Sequence, residues 1–69
     1  MQSSDFRRVM AEAATWMVRN RRLCSDLKCL SGLLAARLRY LALRNRTLAP
    51  GLEAAARRVD ADAEAMGTL

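Results

Sequence analysis

The chain reads as an all-α protein: a helical hairpin of two main amphipathic helices with a short C-terminal third, completed by homodimerisation into a bundle. Three observations predict this. Alanine and leucine dominate a composition that is 52% hydrophobic but only 4% aromatic. Both are strong helix formers, and the β-branched residues that strands favour are scarce. Apolar residues recur at three- and four-residue spacing along most of the chain, the period of a helix. One proline and three glycines among 69 residues leave too little punctuation for a sandwich, a barrel or a disordered linker.

The first helix is expected over about 4–23, with Ser3 or Ser4 as its N-cap and Asp5 in the first turn, where a negative charge suits the helix dipole. Phe6, Met10, Ala13, Met17 and Cys24 fall within one arc, widened by Val9, Trp16 and Leu23, while Arg8, Glu12, Thr15, Arg19 and Arg22 fall opposite. Ser25 and Asp26 mark a break and a new N-cap, with Ser31–Gly32 as the rival boundary. The second helix is expected over about 26–45. Gly32 within it costs about 1 kcal/mol relative to alanine, and would fit a place where another backbone comes close. Asn45, Thr47 and Pro50 mark the next boundary. The third helix is expected over about 51–66 on a thin stripe of Leu52, Ala55, Ala56, Val59, Ala63 and Met66, prone to fray or dependent on docking. Residues 67–69 are expected to be a disordered tail. The whole is one small domain.

The second helix carries two apolar stripes. Leu27, Leu30, Leu34, Leu38 and Leu41 share one face, and Leu33, Ala36, Tyr40 and Leu43 share another, with Arg37 and Arg44 between them. A surface helix needs one apolar stripe. A domain of this size buries only about 60% of the surface its unfolded chain exposes, so it has few elements with which to cover a second. The second stripe therefore implies a partner, either a second copy or another protein. Leu33, Tyr40, Leu43, Arg37 and Arg44, with Trp16 at the edge of the first helix's stripe, are the residues expected to meet it. Tryptophan, tyrosine and arginine are the types most enriched among interface hot spots.

The formal net charge is +5. Residues 1–48 carry ten Lys and Arg against three Asp and Glu, whereas residues 49–69 carry two against four. Eleven of the twelve bases are arginine, a composition that GC-rich coding also produces. The basic half admits a rival reading as a dimeric DNA- or RNA-binding protein using Arg19, Arg21, Arg22, Arg39 and Arg46 through counterion release. Against it, Arg37/Arg44 and Arg39/Arg46 point in roughly opposite directions around their helix, where a groove-reading helix would gather them on one side.

Enzymatic chemistry is not expected. The chain has no histidine, the usual base near neutral pH, and Glu53, Asp60, Asp62 and Glu64 read as a solvated helix face beside Arg57 and Arg58. No cofactor is expected and no metal: two cysteines cannot supply the four Cys/His ligands of a structural zinc site. Cys24 and Cys29, five apart, would sit on different sides of a continuous helix, so they are expected to be unbridged thiols in a reducing cytoplasm. The longest uncharged run, Cys29–Ala36, is far short of the ~20 residues that span a bilayer, and no membrane partner is expected. These readings converge on a small cytoplasmic protein-binding regulator or adaptor, of inhibitor, anti-activator or small-chaperone type.

Overall fold

A computed structural model of the chain describes residues 2–67. Three α-helices account for almost all of it: α1 (Gln2–Arg19), α2 (Leu27–Arg44) and α3 (Ala49–Gly67), with a 3₁₀ turn at Arg21–Leu23 between the first two. The all-helical expectation holds, and the described residues occupy a body of 38 × 23 × 18 Å.

Helix α1 starts at Gln2, so Ser3 and Ser4 lie inside it rather than capping it. It also ends four residues before the expected limit. The cause is Asn20, whose side-chain amide donates to the Trp16 carbonyl at 2.8 Å while its backbone N–H reaches the Trp16 and Met17 carbonyls. This local bonding satisfies the last turn and competes with further helix. The 3₁₀ turn then carries the chain to Cys24, which is extended at φ −122°, ψ 141°.

Helix α2 opens as its sequence predicts. Asp26 is extended and its carboxylate accepts the Cys29 backbone N–H at 2.8 Å, an N-cap bond. Asp26, and not Ser31–Gly32, is therefore the boundary. Asn45 closes the helix: its backbone N–H and its side-chain amide both donate to the Leu41 carbonyl. A short turn leads into α3, which starts two residues before the expected position and ends on Gly67. Of the tail expected to be disordered, Gly67 is helical, and Thr68 and Leu69 lie outside the described residues.

The core is built from Val9 and Ala13 of α1, Ala35, Leu38, Leu41 and Ala42 of α2, and Leu52 and Ala56 of α3. Phe6, Met10, Leu34, Leu48, Ala49, Ala55 and Val59 pack around it. Half of the core is alanine, and that sets the architecture. Small side chains let helix backbones approach closely, so α2 packs far more extensively on α3 than on α1. The expectation of a main α1–α2 hairpin with a weak third helix is thus reversed: the dominant hairpin is α2–α3, and α1 packs mainly against α2. Alanine looks thin when hydrophobicity alone is counted. On α3 it nevertheless supplies Ala56 and Ala63, both buried.

The close approach expected at Gly32 occurs at a different glycine. A Cβ built on Gly32 meets nothing within 4 Å, so among the described residues no other element crosses close to it. The close approach is at Gly51, where a Cβ would stand 3.0 Å from Cε1 of Phe6. That contact seats α1 on the start of α3.

Candidate functional site

Of the leucine stripe of α2, Leu38 and Leu41 are in the core and Leu34 packs against it, whereas Leu27 at its N-terminal end is exposed; the second stripe faces outward. Leu43 is 78% exposed and Tyr40 42%. Ala36 is exposed and Leu33 is half-buried. Gly32, also exposed, falls on the same side at 100° per residue. Helix α1 reaches the flank of α2 that carries Arg37, and α3 the flank that carries Arg39, where Glu53 and Arg57 border Leu43.

The sequence-predicted aromatic and basic residues meet at its edge. The Arg37 guanidinium lies over the Trp16 ring of α1 at 5.1 Å and over the Tyr40 ring at 4.6 Å. Arg44 lies over the other side of the series, 5.7 Å from the Tyr40 ring, and donates from Nη1 to the Tyr40 hydroxyl at 3.2 Å. The four side chains form a ladder, Trp16–Arg37–Tyr40–Arg44, in which every step is within cation–π range. Spacings of three and four along α2 supply the inner steps. The contact to Trp16 depends on how α1 seats against α2, which no local pattern reveals. Neither Arg37 nor Arg44 has a carboxylate partner among the described residues, so both keep donors for an outside acceptor.

The opposite flank is different. Arg39 donates from Nη2 to Oδ2 of Asp60 on α3 at 2.6 Å, with both side chains about half exposed. Glu53 and Arg57 of α3 line a shallow surface depression with Arg39 and Leu43. Here the arginine of α2 is already matched within the chain, by Asp60.

The residues of the nucleic-acid reading are not brought together. Arg19, Arg21 and Arg22 sit around the end of α1 and the 3₁₀ turn, Arg46 sits past the far end of α2, and Arg39 is paired with Asp60. An 18-residue helix separates the two ends by about 27 Å.

Cys24 and Cys29 form a disulfide, with Cα atoms 5.4 Å apart. This corrects the expectation of unbridged thiols. The argument from helical phase assumed that both residues lie on one helix. Cys24 is in the extended segment before the Asp26 cap and Cys29 is in the first turn of α2, so the corner folds the two sulfurs together. The bridge also removes the support that unpaired thiols gave to a reducing cytoplasm. No described helix is long and apolar enough to cross a membrane. Among the described residues no group of three or more His, Cys, Asp or Glu is arranged to hold a metal ion.

Comparison with known protein families, curated proteins and solved structures finds no match to this chain.

Proposed function

We propose that this protein is a small protein-binding regulator or adaptor, of inhibitor, anti-activator or small-chaperone type, which acts by occupying a surface of a partner through the outer face of α2. One observation carries the reading. Leu33, Ala36, Tyr40 and Leu43 form an apolar strip that the protein's own core leaves uncovered, bordered by the Trp16–Arg37–Tyr40–Arg44 ladder. A contiguous exposed apolar patch with a polar rim marks an interaction site, and the aromatic and arginine residues at its rim are hot-spot types.

A second copy of the chain is an alternative occupant of the same strip, and the homodimeric bundle expected from the sequence is that version of the reading. Affinity capture with the wild-type chain and with Leu43→Glu, followed by mass spectrometry, tests the function. A protein retained by the first and lost by the second supports it. Retention of nucleic acid by both, released at moderate salt, would instead favour the basic nucleic-acid-binding reading.

A further inference from the structure

We infer that the outer face of α2 receives an amphipathic helix of another protein that carries acidic residues along one edge, in preference to a second copy of this chain. The inference rests on the interface reading above and names the chemistry of the partner.

Charge around the strip carries it. Arg37 and Arg44 line one edge, Arg37 over the rings of Trp16 and Tyr40 and Arg44 over the ring of Tyr40, and both are without a carboxylate partner among the described residues. They are seven residues apart on α2, about 10.5 Å along its axis. A partner helix with carboxylates seven apart on one edge, and a leucine-type stripe beside them, would set one acid against each arginine while its stripe covers Leu33, Tyr40 and Leu43. Charge-assisted bonds from a guanidinium to a carboxylate are among the stronger polar contacts available to such an interface.

The same charges disfavour a second copy. A two-fold interface must be complementary to itself. An antiparallel α2–α2 pair sets the Arg37/Arg44 edge against its own duplicate. A parallel pair sets it against the other edge, where Arg39 already holds Asp60 at 2.6 Å. The antiparallel arrangement supplies Arg37 and Arg44 with no acid, and the parallel one supplies Glu53 beside Leu43, one carboxylate for two arginines. Nucleic acid would match the charge but leave Leu43, 78% exposed, uncovered.

Gly32 adds an independent mark of a helix as the occupant. It sits inside α2, where glycine is less favourable than alanine, and among the described residues no other element comes within 4 Å of its missing Cβ. The loss has no return inside the molecule. A second backbone laid against Gly32 and Ala36 would use the space.

The test uses two synthetic helical peptides with the same leucine stripe, one with Glu at edge positions seven apart and one with Lys at those positions. Trp16, the single tryptophan, reports binding through its fluorescence. The Glu peptide is expected to bind at least tenfold more tightly than the Lys peptide. Arg37→Glu with Arg44→Glu is expected to reverse that preference, and Arg44→Glu alone to weaken Glu-peptide binding. Gly32→Leu should lose binding while melting no lower than wild type, because the position is open in the free protein. Equal binding of both peptides, or of neither, overturns the inference. A light-scattering dimer that Leu43→Glu dissociates also overturns it, and leaves the interface reading standing. A Trp16 response to a single-stranded oligonucleotide or to anionic phosphatidylglycerol vesicles, without one to either peptide, overturns both.

Discussion

The ring of Phe6 in α1 reaches to 3.0 Å from the position that a Cβ of Gly51 in α3 would occupy. A methyl group there can be accommodated only if the half-buried ring shifts. Gly32, by contrast, faces open space. The two glycines should therefore answer alanine differently. Gly32→Ala should stabilise the fold by up to about 1 kcal/mol through helix propensity alone. Gly51→Ala should gain less or lose, because displacing Phe6 offsets the propensity. Urea melts of the two variants decide it, and equal stabilisation would mean that Phe6 does not constrain this end of α3.

Leucines seven or fewer residues apart on α2 should behave as if they belonged to different proteins. Leu38 is fully buried, and Leu38→Ala should cost about 2–5 kcal/mol, a large part of what a domain this small can lose. Leu43→Ala should change stability by no more than about 0.5 kcal/mol, since most of its side chain is already in water. Tyr40→Ala should resemble Leu43 more than Leu38. An unfolded Tyr40→Ala chain by circular dichroism would return this face to the core.

The Cys24–Cys29 bridge should be visible in stability. It closes a very short loop, for which chain-entropy arguments give about 2 kcal/mol. Adding a dithiol reductant, or replacing both cysteines by serine, should lower the melting temperature by several degrees, the scale expected for such a change in a domain of this size. Identical melts with and without reductant would show that the corner holds itself without the bond.

Arg39 and Asp60 join α2 to α3 in the open, each side chain about half exposed. A pair in that setting is screened and contributes about 0.2–1 kcal/mol. A double-mutant cycle with alanine at both positions should return a coupling energy in that range, shrinking as salt is raised. A coupling of several kcal/mol would place the pair in a much drier environment than its exposure indicates.

Much of this architecture is legible in the residues, and the parts that are not share a cause. Asp26 announces a helix start because its short carboxylate can reach back to a free N–H, and it does so. Leu38 and Leu43 announce opposite sides of α2 because the helical period alone separates them. Asn20 is harder to read: an asparagine can sit in a helix or stop it, and the outcome turns on a bond to Trp16 that competes weakly with one more turn. The alanines of α3 mislead for a different reason. Their contribution is closeness rather than area, and closeness exists only once the facing helix offers Ala35 and Ala42. The pairing of Cys24 with Cys29, and of Trp16 with Arg37, likewise depends on how two elements are set against each other.

The unequal packing of the three helices has a kinetic consequence. Because α1 is held mainly by Phe6, Val9, Met10 and Ala13, while α2 and α3 are closely zipped along their length, the first helix can swing away as a cooperative unit while the pair behind it stays intact. Such sub-global openings lie below the free energy of global unfolding. Backbone amides in α1 should then trade hydrogen for deuterium well before those near Leu38 and Leu52. The bridged corner shortens the tether on which the detached helix moves, so it is kept near its own groove and away from that of a neighbouring molecule, a local restraint against exchanging helices between chains.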